Sequence, residues 1–135
     1  MIKFEILGQP VSKARPRVTK QGFTYTPAKT VNYETLVKYT YQSKYPQNEM
    51  ILGRIQANIT AIFDVPKSYS KKKTRELLEG ERNYDKKPDC DNLAKIILDS
   101  LNGIAYKDDS QVTELHIIKE YGIQPKVIVE LKELE

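Results

Sequence analysis

The stretch "KKPDCDNLAKIILDSLNGIAYKDDSQ", Lys86 to Gln111, decides how this chain is read. On a helical wheel at about 100° per residue, Leu93, Ile96, Ile97, Leu101 and Ile104 gather on one side. Asp91, Lys95 and Asp99 stand at i, i+4 and i+8 on the other. One face reads as core, and the other carries an acid–lysine–acid row. The spacing predicts a helix from about Asp91 to Leu101, closed by Asn102-Gly103. Asp89 and Asp91 flank Cys90 at its entrance. In an extended segment, residues two apart point the same way, so both carboxylates could reach one cation. Asp108 and Asp109 lie beyond the Gly103 turn. They reach the first pair only if the chain folds back, which a strand starting near Ser110 could do.

Outward from this stretch the chain alternates between strand and helix signals. Ile2, Phe4 and Ile6 alternate with charged residues, as in a half-buried strand. "GQPVSKARPRVTKQGFTYTP" is too rich in Pro and Gly for a helix and reads as a loop or irregular hairpin. Thr26-Pro27 or Thr30 could start a helix running to about Lys44, ended by Pro46. Ile55, Ala57, Ile59, Ala61, Phe63 and Val65 form the clearest strand, stopped by Pro66. Ser70 is placed to cap a short basic helix through Leu78, with Gly80 as its stop. "ERNYDKKP" reads as a polar loop. Two late strands follow, around Val112–Tyr121 and Lys126–Leu131, and their short connection predicts a hairpin. The expected fold is α+β: one domain over residues 1–135, with a mostly antiparallel sheet and two to three helices.

Composition narrows the function classes. A chain of 135 residues can bury a core without metal or disulfide staples. Its single cysteine forms no internal disulfide, and one Cys with one His cannot build a structural zinc site. The N-terminus "MIKFEILG" lacks the pattern of a signal peptide. No apolar run approaches the ~20 residues needed to span a bilayer. These features predict a cytoplasmic protein with no membrane partner. The net charge of +4 is modest, but its distribution is uneven. Between Glu5 and Glu34 there is no acid, while Lys13, Arg15, Arg17, Lys20 and Lys29 fall inside. A second acid-free run holds Lys67, Lys71, Lys72, Lys73 and Arg75. Basic segments around a carboxylate cluster suit a protein that handles phosphodiesters, with cations on the backbone and acids on a divalent ion.

Each acid also has a plainer reading. Asp91 could be a helix N-cap. The Asp91–Lys95 and Lys95–Asp99 spacings could be surface ion pairs, and Asp108-Asp109 a turn. These readings explain the residues separately and leave their grouping unexplained. A calcium loop is excluded, because "DCDNLAKIILDS" has Leu93, Ala94 and Ser100 where an oxygen ligand, the glycine and the bidentate glutamate belong. No phosphate-binding G-x-x-x-x-G-K-[ST] loop exists, so no nucleotide cofactor is expected. His116 falls in an apolar strand pattern and reads as a sheet residue. Cys90, between two acidic side chains, is a poor candidate nucleophile.

Together, "KPDCDNLAKIILDSLNGIAYKDDSQV", "GQPVSKARPRV" and "YTPAKT" resemble the RusA family of Holliday junction resolvases. The family pattern is approximately K-P-D-x-D-N-L-x-K, a helix, then D-D-x-Q. Cys90 and Tyr106 depart mildly from it, and neither is a carboxylate or the lysine. The resemblance implies a homodimeric endonuclease of RusA-like fold that cuts four-way DNA junctions with Mg²⁺, for which Mn²⁺ can substitute. Carried over, the metal-binding acids are Asp89, Asp91 and Asp109, and Lys95 is the essential lysine. Asp99 and Asp108 are expected just outside the ligand set. DNA contact is expected from Lys13, Arg15 and Arg17 in the N-terminal loop and from Lys71, Lys72 and Lys73. A non-catalytic nucleic-acid-binding domain, or a less selective nuclease on branched DNA, are the alternative functions.

Overall fold

A computed structural model describes residues 1–80 and 82–135. Residue 81, in the loop expected over 81–88, lies outside the described residues. The elements in chain order are β1 (Ile2–Leu7), the two-residue strands β2 (Arg17–Val18) and β3 (Thr24–Tyr25), α1 (Ala28–Lys44), β4 (Arg54–Asp64), α2 (Lys71–Glu79), α3 (Cys90–Ser100), β5 (Val112–Gly122) and β6 (Lys126–Leu134). A short 3-10 turn, Asp109–Gln111, leads into β5.

The alternating residues of the first and clearest strands do what period-two patterning requires. Ile2, Phe4 and Ile6 are buried from β1, and Ile55, Ala57, Ile59, Ala61 and Phe63 from β4. They face α1 and α3, which contribute Tyr33, Val37 and Tyr41, and Leu93, Ile96, Ile97 and Leu101, to the same core. Each large aliphatic side chain so buried contributes about 1.5–3 kcal/mol. Both helices therefore lie on one face of the sheet. Lys44 and the Tyr45 hydroxyl, at the end of α1, both donate to the Lys3 carbonyl and hold β1 in place.

The four-stranded sheet runs β1-β6-β4-β5. The β1–β6 and β6–β4 pairs are antiparallel, and β4–β5 is parallel. The sheet is thus mixed but mostly antiparallel, in an α+β fold with three helices. The expected hairpin between the last two strands does not form. β4 is inserted between them, and the link at residues 123–125 passes over its end. At that crossing Gly122 lies against Ile62, whose side chain a Cβ would strike. The N-terminal loop forms a small ribbon, with β2 pairing antiparallel to β3. No helix among the described residues is long and apolar enough to cross a membrane.

Candidate functional site

The helix that carries the acid–lysine row begins one residue earlier than the spacing suggested. Cys90 is already its first residue and Asp89 occupies the N-cap position. Asp91 therefore stands in the first turn. Asp89 and Asp91 then differ by helical rotation and do not share the side of an extended strand. Asp is well suited to an N-cap, yet the Asp89 carboxylate makes no capping hydrogen bond. It accepts instead from Lys87 Nζ, at 3.1 Å and 3.3 Å. Asp89 and Lys87 are both well exposed.

Along the helix, the outward face is organised as the wheel requires. Asp91, Asn92, Lys95 and Asp99 line a groove of about 520 Å³, with Lys13, Ala14, Arg15 and Pro16 as its opposite wall. That wall is the N-terminal loop, which is tied down at two points. The Lys13 amide donates to the Asn92 carbonyl at 3.0 Å. The Ala14 amide donates to Oγ1 of the buried Thr30 at 3.4 Å.

Lys13 is spent inside the molecule. Its ammonium pairs with Glu34 at 2.8 Å and with Asp99 at 3.4 Å. Burial alone would lower its pKa, but the hydrogen bond and charge of Glu34, with the charge of Asp99, raise it overall. Arg15 and Arg17 remain exposed. Arg17 lines a neighbouring recess with Lys29 and Lys87, on the other side of the same loop. Lys71, Lys72 and Lys73 are exposed on α2. Lys73 lies over the Tyr69 ring at 3.9 Å, and Lys86 donates to the Tyr69 hydroxyl at 2.9 Å.

The second acidic pair returns to the far end of α3. Gly103, at φ 74°, makes the turn that a side chain would resist. Asp108 then caps the 3-10 turn, and Gln111 completes a capping box with it. Ser110 holds the Asp108 carboxyl below its ordinary range. Asp109 comes to Asp99. Its carboxyl is raised first by burial, then by a hydrogen bond with Asp99 and by the charges of Asp108 and Asp99, against a hydrogen bond from Asn102.

Beneath this cluster lies the fully buried Tyr106, whose hydroxyl donates to the Leu98 carbonyl at 2.5 Å. Burial, then the charges of Asp109, Asp99 and Asp108, push its phenol strongly upward. Tyr106 therefore stays neutral and acts as a floor.

The structure thus brings Asp91, Lys95 and Asp99 to one groove and Asp109 to Asp99, while Asp89 turns to Lys87. Among the described residues, no three His, Cys, Asp or Glu side chains are gathered closely enough to hold a metal ion. The donor chemistry still suits a hard divalent cation. The groove offers carboxylate and amide oxygens without thiolate or imidazole. The like charges around Asp109 are ones that a cation would relieve. His116 sits exposed on β5, opposite Asn58, on the sheet face without helices.

Sequence reasoning missed Glu34, Asn102, Tyr106 and Gln111 as parts of this site. Only Gln111 left a signal, as the last residue of D-D-x-Q. Its amide donates to the Ile51 and Gly53 carbonyls at 2.8 Å and 3.0 Å, and its oxygen accepts from the Lys107 and Asp108 amides. It therefore pins the turn that carries Asp109 to the start of β4.

Comparison with known proteins agrees with this reading. The family model described as endodeoxyribonuclease RusA matches residues 8–132. The chain is also 35% identical over 138 residues to the uncharacterized protein YqaN of Bacillus subtilis (strain 168), covering 98% of this chain and 96% of that protein.

Proposed function

The chain belongs to the endodeoxyribonuclease RusA family, and on that premise we propose that it is a cytoplasmic, Mg²⁺-dependent, structure-selective endonuclease that resolves four-way DNA junctions. The observation that carries the proposal is the groove itself. An exposed lysine stands between two aspartates on α3, facing a wall that presents Arg15. Such a groove can admit a phosphodiester only if its acids are neutralised.

On the family pattern, Asp89, Asp91 and Asp109 would hold the divalent cation, Mg²⁺ or Mn²⁺, which requires Asp89 to leave Lys87 and the three carboxylates to draw together around the ion. The chemistry a bound cation supplies is polarisation of the scissile phosphate and activation of a water. Lys95 directs its ammonium at a phosphate oxygen and stabilises the charge that builds there. Arg15 holds the same backbone from the opposite wall, and Arg17 holds the next phosphate along the loop. Asp99 does not bind substrate in this reading. It stands beside Asp109, and its own charge is neutralised by Lys13. Asp108 fixes the turn. Lys71 and Lys72 on α2 extend the cationic surface along a DNA arm.

A four-way junction has approximate two-fold symmetry, so a two-fold dimer would present two equivalent sites and pair the nicks. Of the two long strands that could pair between copies, β4 has both edges occupied. That leaves the outer edge of β5 ahead of Lys119, where Leu115 and Ile118 are exposed; from Lys119 to Tyr121 that edge is bonded to residues 82–84. The test is cleavage of a four-way junction, a flap and a duplex, with and without Mg²⁺. Cation-dependent, paired nicking confined to the junction is the expected result. Binding without cleavage would leave only a nucleic-acid-binding module, and equal cleavage of flaps would make it a general branched-DNA nuclease.

A further inference from the structure

Lys119 lies on β5 in register with the fully buried Ala61, on the sheet face that carries the helices. An aliphatic residue would fill such a position without desolvating a charge. Among the described residues, no carboxylate lies within ion-pair distance of Lys119. Its ammonium instead donates to two backbone carbonyls, Lys86 at 2.7 Å and Pro88 at 2.9 Å. Both belong to the segment that enters α3.

That segment is otherwise held at its far end. The Tyr84 amide donates to the Lys119 carbonyl at 3.0 Å, and the Tyr121 amide to the Arg82 carbonyl at 2.6 Å. The Tyr84 ring stacks on Phe63 at 3.9 Å. From Asp85 onward, the backbone is held by the Tyr84 hydroxyl, which donates to the Lys87 carbonyl at 3.0 Å, and on either side of that bond by Lys119. The Pro88 carbonyl is part of the peptide plane whose nitrogen is that of Asp89. On the other side, the Asp89 carbonyl accepts from the Leu93 amide at 3.2 Å. Asp89 is therefore held from both directions along the chain.

We infer that Lys119 is a positioning residue: by clamping the Lys86 and Pro88 carbonyls, it sets the place from which the Asp89 carboxylate reaches a divalent cation. The inference rests on the proposed role of Asp89 as a ligand. Partners that orient a metal ligand typically change affinity by about 10–100-fold when removed.

The experiment measures Mn²⁺ binding to the full-length protein without DNA, by the electron paramagnetic resonance of free Mn²⁺. Lys119→Met, Lys119→Arg, Asp89→Asn and the Lys119→Met/Asp89→Asn pair are compared. Junction affinity in EDTA and the melting temperature are measured alongside. Lys119→Met is expected to weaken Mn²⁺ binding by about 10–100-fold with junction affinity unchanged. Lys119→Arg, which keeps charged donors, should recover most of the loss. In the Asp89→Asn background, Lys119→Met should weaken Mn²⁺ binding no further, because its effect passes through that carboxylate.

If Asp89→Asn loses Mn²⁺ while Lys119→Met binds it like the parent, the inference is overturned and the metal site stands. If Asp89→Asn keeps full affinity, the ligand assignment fails and the inference falls with it. Should Lys119→Met not fold, as judged by circular dichroism, Lys119→Gln replaces it under the same criteria.

Discussion

The division of labour among the basic residues of the N-terminal loop can be tested by salt. Lys13, Arg15 and Arg17 are close in sequence, but the fold treats them differently. The Lys13 ammonium is shared between Glu34 and Asp99, whereas both arginines are exposed. Each phosphate neutralised adds about 0.9 to the slope of log affinity against log salt. Replacing Arg15 and Arg17 by alanine should therefore flatten that slope by about 1.8. Between about 50 and 200 mM salt, the parent should then lose roughly tenfold more junction affinity than the double variant. Lys13→Ala should leave the slope unchanged. It should instead leave two half-buried carboxylates without their cation, at a cost of about 1–2 kcal/mol, or roughly 3–10 °C in melting temperature. Fluorescence anisotropy of a labelled junction across a salt series, in EDTA, gives the slope, and calorimetry gives the stability. A Lys13→Ala protein whose slope falls like that of an arginine variant while its melting temperature holds would refute the reasoning.

Three further outcomes follow from the site. Asp89→Asn, Asp91→Asn and Asp109→Asn should each abolish or severely reduce junction cleavage, while binding in EDTA survives or tightens because a negative charge near phosphate is lost. Near-normal cleavage by Asp91→Asn would defeat the metal site. Lys95→Ala should lower the single-turnover rate by about 100–1,000-fold. Its melting temperature should scarcely move, since the side chain lies outside the core; a large drop would make Lys95 structural. Gln111→Ala should cost about 2–3 kcal/mol, because it removes a capping partner and strands the Ile51 and Gly53 carbonyls. Thermal unfolding checks this, and an unchanged midpoint would remove Gln111 from the frame of the site.

The elements of this fold were legible because their patterns are strong, but patterns report faces and not neighbours. Alternation over Ile55–Val65 located β4 and its buried side, yet nothing in it says that β5 and β6 take opposite edges. A short link usually implies direct pairing, and here residues 123–125 step over the end of a strand. The acid–lysine–acid row survived intact because helical periodicity is local. The relation of Asp89 to Asp91 did not, because it depended on where α3 begins, and a shift of one residue turned an extended spacing into a helical one. The ion pairs of Lys13 were not legible for another reason. Glu34 is distant in sequence, and only the packing of the loop against α1 brings it within reach. Buried Tyr106 carried no charge to mark it as part of an acidic site.

The insertion of β4 between β5 and β6 also sets a timetable for the nascent chain. β4 ends at Asp64, but both its neighbours come from the stretch beginning at Val112. β1 must wait still longer, since among the described residues its sheet partner is β6, with Ile2 opposite Leu131. No two strands of the main sheet can pair until the chain from Val112 onward has left the ribosome. Such non-local closure is slow compared with helix formation. During synthesis, the edges of the strand around Ile59 therefore stay unpaired, and the Val112–Leu134 stretch acts as the latch that closes the sheet on both sides at once.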